Sequence, residues 1–288
     1  MVVTPVVIGS CSTLPTRLDK LREAVISVLA ERRIQSVIIQ YPHFCKRLNI
    51  AYPSPPPEWM LQYGSRLIIH EAEDLGPMTK FASLLDMYPQ DAKVSFLLFD
   101  DDHVYPPGWF DIMFDMVESE EEHLTSLASG FHGSLQKVIP FQYSAFNTGK
   151  KPVSVSNLST AWGSMYPRHS LPKSSKEAYD FALRYKDLLF NDDMMLGSFC
   201  FQTKTPLKLL PMSENRIEQW NQQNNMQGDG ECLAVLPEAQ KCRQTRLACQ
   251  MMQDGVYPVP WPEITLITFI LGIVVFLFIL FLIILAKV

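Results

Sequence analysis

The sequence VSFLLFDDDHVYPPGW, residues 94–109, places an apolar strand directly before three consecutive carboxylates, Asp100, Asp101 and Asp102. A strand that is apolar on both faces is typical of a parallel sheet covered by helices. In open sheets of that kind, ligands bind beyond the carboxyl ends of the strands. We therefore predict that the three acids lie at the ligand-binding edge of an α/β domain.

Strand and helix patterns alternate through the residues before this stretch. Apolar runs at residues 6–9, 36–40 and 66–70 predict three more strands, and residues 18–29 show the apolar spacing of a helix. The proline-rich segment 52–57 predicts a loop, either a plain surface loop or a lid over a substrate. We therefore expect an α/β fold with a mainly parallel central sheet flanked by helices. Three further helices are expected over residues 106–118, 174–189 and 193–201.

Composition disfavours a nucleic-acid partner. The 288 residues carry 25 basic and 30 acidic side chains, a net charge of -5, with no long run of Lys or Arg to neutralise phosphates. The hydrophobic fraction of 47% is too high for a disordered chain. The six cysteines fit no CxxC metal-binding pattern, so we expect free thiols in a reducing cytosol; in an oxidising compartment, two of Cys232, Cys242 and Cys249 are close enough in the sequence to pair.

A membrane anchor is expected at the carboxyl end. Residues 264–285 contain no charged side chain and are long enough to cross a bilayer as a helix; a buried core helix is the alternative. We assign residues 263–286 to a transmembrane helix and residues 251–262 to a proline-rich linker. The first residues lack the pattern of a secretory signal peptide, so we expect a single-pass protein whose catalytic domain is cytosolic.

Three adjacent acids repel one another, and a divalent cation would stabilise them. We therefore predict a Mn²⁺ or Mg²⁺ site on Asp100 and Asp102. The alternative is that the acids only cap the turn and helix that follow. His103 and His132 are candidates for metal or substrate contacts, or ordinary turn and core residues.

Four segments in order resemble the GT-A glycosyltransferases, especially those similar to family 2. The acids after residue 99 resemble the DxD element, and Gly76-Pro77-Met78-Thr79-Lys80 is similar to the GPxTK segment before it. Residues 9–17 resemble the nucleotide-binding first-strand loop, 161–166 the acceptor-side turn, and 191–196 the ED-x-x-L element. The resemblance covers residues 5–205. It implies a GT-A domain over residues 1–250, with a nucleotide-sugar half, 1–103, and an acceptor half, 104–250.

The resemblance also implies roles for individual residues. Asp193 would be the catalytic base, but Asp192 stands where the family usually has Glu, which leaves open which of the two acts. Trp162 and Gly163 would lie on the acceptor side. The expected nucleotide-sugar ligands are Ser10, Ser12, Arg17, Thr79, Lys80, Asp100 and Asp101. Lys80 and Arg17 would assist a metal-bound diphosphate in leaving, although Lys80 could equally be a solvated helix residue.

The expected activity is metal-dependent transfer of a sugar from a nucleotide-diphosphate donor to a hydroxyl of a glycan, lipid or protein, with inversion. A nucleotidyltransferase is one alternative, but it would need a glycine-rich basic loop, and Gly9-Ser10-Cys11-Ser12 is poor in both Gly and Lys. A tail-anchored scaffold without catalytic activity is the other.

Overall fold

The computed structural model describes residues 6–119, 126–128, 132–134, 142–144, 147, 149–155, 158–185, 191–224, 247 and 250–256. The helices are α1 (Leu18–Leu29), α2 (Thr79–Met87), α3 (Asp111–Ser119), α4 (Ser175–Arg184), α5 (Asp192–Gln202) and α6 (Glu214–Gln223). The strands are β1 (Val6–Ser12), β2 (Ile34–Pro42), β3 (Phe44–Cys45), β4 (Ile50–Ala51), β5 (Leu67–Ala72), β6 (Val94–Leu98), β7 (Ser126–Ala128), β8 (His132–Ser134), β9 (Gln142–Ser144), β10 (Val153–Ser154), β11 (Ser164–Pro167) and β12 (Leu207–Leu209).

Eight of these strands form one sheet, in the order β10-β12-β7-β11-β6-β1-β2-β5. The strands β6, β1, β2 and β5 are all parallel, whereas β11 runs antiparallel to β6 and to β7. The predicted α/β fold with a mainly parallel sheet is therefore confirmed. Its central strand β6 delivers the three acids to the edge where the parallel strands end.

Helices cover both faces of this sheet, because alternate residues of its parallel strands point to opposite sides. Ile8, Ile38 and Phe96 pack with apolar residues of α2, α4 and α5 on one face. Val7 and Leu97 belong to the core on the other face, with residues of α1, α3 and α6. The two helix layers bury the sheet from both sides, as the apolar strands predict.

The first strand is longer than the sequence pattern predicts. Residues 10–12 continue β1 instead of starting a loop, since Ser10 pairs with Ile38 and Leu98 on the neighbouring strands. The Ser10 hydroxyl lies in the core without cost because it donates a 2.6 Å hydrogen bond to the backbone oxygen of Lys80. The prediction that the strand ends at Gly9 is wrong for this reason.

A buried arginine joins the end of α2 to the segment after β11. The Arg168 guanidinium is fully buried and donates to five backbone carbonyl groups. Two of them, on Leu85 and Tyr88, lie at the end of α2, at 3.0 and 2.7 Å. The others belong to Leu171, Pro172 and Lys173. Arg168 thus satisfies carbonyl groups that the end of α2 leaves without a helical partner.

The later helices differ from their predicted bounds. α3 begins at Asp111 rather than at residue 106, because residues 106–110 form the turn that precedes it. α4 ends at Arg184, and residues 186–190 lie outside the described part.

The residues before the expected anchor pack against the folded domain. Met251 is fully buried in the core beside α4 and α5, and Asp254 accepts a 2.8 Å hydrogen bond from the Tyr185 hydroxyl. Within the described residues, no helix has the length and apolar character needed to cross a membrane. The expected span, residues 263–286, and the rest of the expected linker lie outside the described residues.

Candidate active site

The middle acid of the triplet, Asp101, is bound to the turn that follows β1. Its carboxylate accepts a 2.6 Å hydrogen bond from the Thr13 hydroxyl and a 3.3 Å bond from the Leu14 backbone N–H, and it lies 3.5 Å from the Arg17 guanidinium. Burial and the neighbouring Asp102 charge raise the pKa of Asp101 to about 6. The sequence predicts that Asp101 binds the nucleotide sugar. In the structure its carboxylate connects the ends of the parallel strands β6 and β1.

Asp102 lies between two basic side chains. One of its oxygens is 2.7 Å from Nδ1 of His103, and the other is 3.2 Å from Arg17. Burial alone would raise the pKa of Asp102, but the close imidazole and the charge of His103, with the charge of Arg17, lower it to about 2. The pKa of His103 is raised, since the nearby acids outweigh the effect of burial. Asp102 is therefore a carboxylate at any physiological pH.

Asp100, Asp102 and His103 form a group that could hold a metal ion. Each offers one ligand atom, and the three atoms lie within 4.8 Å of one another. Two carboxylate oxygens and one imidazole nitrogen suit Mn²⁺, and the oxygens also suit Mg²⁺. The donor set fits the ion expected from the sequence and adds His103 to the two predicted ligands.

Lys80, in the first turn of α2, lies at the centre of the acidic residues. Its side chain is 7% exposed, and its ammonium contacts Asp100, Oδ2 of Asp192 at 2.8 Å and the Thr160 hydroxyl at 2.9 Å. Burial would lower the pKa of Lys80, but the charges of Asp100 and Asp192 raise it well above its usual value. The alternative interpretation of Lys80 as a solvated helix residue is therefore wrong.

The acidic pair at the start of α5 meets the triplet at Thr160. The Thr160 hydroxyl lies 3.1 Å from Oδ2 of Asp192 and 3.4 Å from Oδ1 of Asp100. The Thr160 backbone N–H donates to Oδ1 of Asp193 at 2.9 Å. Burial, followed by the charge of Asp192, raises the pKa of Asp193 to about 7. The two predicted acidic elements, 90 residues apart in the sequence, thus belong to one site.

The start of α5 also explains why the acids are there. Asn191 caps the helix, with its side chain accepting a 3.0 Å hydrogen bond from the Met194 backbone N–H. Asp192 and Asp193 occupy the first turn, where the helix dipole favours negative charge. The capped start fixes both carboxylates close to Thr160.

An aromatic cluster supports the other side of the acids. The His103 ring stacks on Trp220, 5.2 Å between centroids at 19°, and Trp162 lies 4.3 Å from Trp220. Trp162 is 6% exposed, and its backbone oxygen accepts a hydrogen bond from Trp109. The next residue, Gly163, has φ of +76°, and a Cβ there would lie 2.5 Å from Phe110. Trp162 is therefore packed beside His103, with little of its ring open to a ligand, and Gly163 lies against Phe110.

The three predicted hydroxyl ligands differ in position. Ser10 is fully buried, and its hydroxyl donates a hydrogen bond to the backbone oxygen of Lys80. Thr79 is also buried, and its hydroxyl accepts a 2.8 Å hydrogen bond from the Leu75 backbone N–H. Ser12, the last residue of β1, is half-buried. Ser10 and Thr79 thus stabilise the start of α2. The other candidate histidine, His132, lies in β8, and its side chain is outside the described part.

Several residues of the site carry no sequence signal. Thr160 bonds to Lys80 across 80 positions, and Asn224 bonds to both backbone groups of Val104 across 120 positions, at 2.7 and 2.8 Å. Trp220, beneath His103, follows no recognisable motif. A lone threonine, asparagine or tryptophan is common in any domain, so only the tertiary contacts identify these three.

No family model matches the chain, and no curated protein is significantly similar to it. The geometry of this site and the resemblance of its motifs are therefore the observations that bear on function.

Proposed function

We propose that the chain is a metal-dependent glycosyltransferase of GT-A fold, which moves a sugar from a nucleotide-diphosphate donor to an acceptor hydroxyl with inversion. The observation that carries this proposal is the convergence of two acidic elements on one lysine. The Lys80 ammonium contacts both Asp100, after β6, and Asp192, at the start of α5. A nucleotide-sugar transferase needs both: acids to hold a cation at the diphosphate, and a separate carboxylate for the acceptor.

The donor side comprises Asp100, Asp102 and His103, which would hold Mn²⁺ or Mg²⁺. When bound, the ion supplies positive charge to the departing diphosphate as a Lewis acid. Arg17 adds a second positive charge, 3.2 Å from Asp102. The turn after β1, which leads to Arg17, is held by the hydrogen bond from the Thr13 hydroxyl to Asp101. These residues would orient the diphosphate at the carboxyl edge of the sheet.

The acceptor side is assigned to Asp193. Its Oδ1 accepts the Thr160 N–H, which leaves Oδ2 to take the proton from the acceptor hydroxyl. A pKa of about 7 suits a general base, since the group is then ionised near neutral pH yet basic enough to accept a proton. Asp192 is paired with Lys80 and would therefore serve as its counter-ion. The different contacts of the two acids thus support Asp193 over Asp192 as the proposed base.

A single displacement follows from these roles. The acceptor oxygen, as its proton passes to Oδ2 of Asp193, attacks the anomeric carbon on the face opposite the diphosphate. The bond to the diphosphate breaks with its electron pair going to the leaving oxygen, and the product has inverted configuration. The mechanism requires no covalent sugar–enzyme intermediate.

We further propose that residues 263–286 anchor the domain to a membrane, with the catalytic domain on the cytosolic side. The acceptor would then be a glycan, lipid or protein near that surface, and no nucleic acid would be bound. The uncharged sequence of residues 264–285 supports the anchor.

The test is a panel of nucleotide sugars incubated with the full chain in detergent and Mn²⁺ or Mg²⁺. We expect release of nucleoside diphosphate from one donor, with inverted anomeric configuration when the product is read by NMR. Release of pyrophosphate from nucleoside triphosphates instead would indicate a nucleotidyltransferase. No turnover of any donor, with the fold intact, would favour a scaffold.

A further inference from the structure

Three acceptor groups of the protein enclose the ammonium group of Lys80. A lysine ammonium carries three N–H donors. In this structure its three contacts are Asp100, Asp192 at 2.8 Å and the Thr160 hydroxyl at 2.9 Å. Asp100 and Thr160 accept hydrogen bonds from the ammonium and Asp192 forms an ion pair with it, so a phosphate that binds the ammonium would compete with acceptors of the protein.

The backbone of Lys80 is fixed as firmly as its side chain. Its carbonyl accepts the hydrogen bond of the buried Ser10 hydroxyl at 2.6 Å, and Gln40 donates to that hydroxyl at 3.3 Å. The Gln40 side chain in turn accepts a hydrogen bond from Ser83, one turn along α2. This buried network ties α2 to β1 and β2, and so fixes the backbone position from which the Lys80 side chain extends.

We propose that Lys80 is a positioning residue and not a phosphate ligand. It fixes the separation between Asp100, at the end of β6, and Asp192, at the start of α5. The role of Lys80 in catalysis rests on the proposed function, because it concerns the same site. The sequence motif alone suggests the opposite role, in which Lys80 assists the leaving diphosphate.

The bridge has two consequences for the site. Lys80 occupies Oδ1 of Asp100, which leaves Oδ2 as the oxygen that a cation can take. It also balances the charge of Asp192, whose side chain is 13% exposed, beside the proposed base Asp193. Lys80 would therefore set the position of the metal ligand Asp100 and of the acidic pair Asp192 and Asp193, without touching a substrate.

A double-mutant cycle in thermal stability tests this bridge independently of any activity. Lys80→Met removes the charge but keeps most of the apolar stem, so Asp192 is left as a buried charge without its cation. We expect Tm of the full chain in detergent to fall by roughly 10 °C. In K80M/D192N the unpaired buried charge is gone, and we expect about half of the loss or more to be recovered.

A matched control is the exposed pair of Lys176 and Asp180, 2.6 Å apart on α4, with side chains 80% and 50% exposed. K176M, D180N and their double variant should each shift Tm by only about 1 or 2 °C, as expected for a solvated ion pair. If K80M/D192N is as unstable as the sum of its two single variants, Lys80 does not act as the counter-ion of Asp192 and the proposal is wrong.

Diphosphate binding separates the positioning role from a ligand role. At Mn²⁺ concentrations that saturate both proteins, titration calorimetry with UDP, GDP, CDP and ADP should give K80M an affinity within about threefold of the wild type, since no N–H to phosphate is lost. A loss of tenfold or more at unchanged metal affinity would show that Lys80 is a phosphate ligand. If the wild type binds none of the four nucleotides, the proposed function fails, while the thermal cycle still decides whether Lys80 bridges the two acids.

Discussion

The backbone N–H of Thr160 lies 2.9 Å from Oδ1 of Asp193, so one oxygen of this carboxylate is fixed by the main chain. A main-chain donor holds the carboxylate in a defined orientation, independent of the side chain of Thr160. The neighbouring Asp192 is instead held by side chains, Lys80 and the Thr160 hydroxyl. The two adjacent acids therefore have different surroundings and should differ in what their loss does.

Asp193→Asn should reduce the transfer rate by about a hundred- to ten-thousand-fold, because proton removal by a general base contributes that much. Donor affinity should stay unchanged, since Asp193 is not among the proposed metal or diphosphate ligands. Asp192→Asn is the matched control: it removes a counter-ion and should cost about tenfold or less in rate. Single-turnover kinetics measures both. The reverse ranking would overturn the assignment of the base, and equal tolerance would overturn the inverting mechanism.

The pH profile should show an acidic limb near pH 7. Burial and the charge of Asp192 raise the pKa of Asp193 to about 7, so below that pH the protonated carboxyl group cannot accept a proton. The rate should fall by about tenfold per pH unit below 7 and level off above it. Initial rates between pH 5.5 and 8.5 at saturating Mn²⁺ would measure this. The limb should be missing from the residual activity of D193N, and a wild-type rate that is flat between pH 6 and 8 would exclude Asp193 as the base.

Arg168→Met should destabilise the fold, because the guanidinium donates to five backbone carbonyl groups around the end of α2. A buried polar group left without a partner costs about 1 to 3 kcal/mol, so we expect the free energy of unfolding to fall by about 3 kcal/mol or more. Urea unfolding followed by circular dichroism measures the change. Arg184→Met, at an exposed position in the same layer, should change it by less than about 0.5 kcal/mol. Equal effects of the two variants would show that the buried network contributes nothing specific.

Removal of residues 263–288 should give a protein that remains folded and active without detergent. The core of the described residues is formed without this segment: Met251 is buried in it, and Asp254 accepts a hydrogen bond from the Tyr185 hydroxyl. Residues 251–256 must be kept for that reason. Sedimentation and thermal unfolding of the truncated protein would test the expectation. Aggregation with loss of the folding transition would mean that the apolar segment is part of the core.

The sequence predicts the fold well where structure depends on local pattern. The four parallel strands and α1 follow from short-range periodicity, which is why they are found close to their expected positions. Ser10 is different, because its burial depends on which strands lie beside β1 and on Lys80, 70 positions away. A serine after a strand looks like a loop residue in the sequence, whereas in the structure it supports α2.

The candidate site was predictable in its acids but not in their connections. Asp100 to Asp102 stand out because three adjacent carboxylates directly after an apolar strand repel one another, and the pair at residues 192 and 193 stands out by its resemblance to the ED-x-x-L element. The partners that give these acids different surroundings, Thr160 and Lys80, meet only through tertiary contacts. Spacing in a sequence gives no information on which oxygen a hydroxyl or an ammonium contacts, so the distinction between Asp192 and Asp193 required the structure.

Metal-dependent release of nucleoside diphosphate tests the central claim most directly. With the donor identified from the panel, wild type and Asp102→Asn are compared in Mn²⁺ and in excess chelator, with circular dichroism to confirm that both are folded. We expect chelation to abolish turnover by the wild type, restored by added Mn²⁺, and D102N to resemble the chelated enzyme because it loses a carboxylate ligand. Undiminished turnover in excess chelator, or a fully active D102N, would contradict the assignment of Asp100, Asp102 and His103 as a metal site.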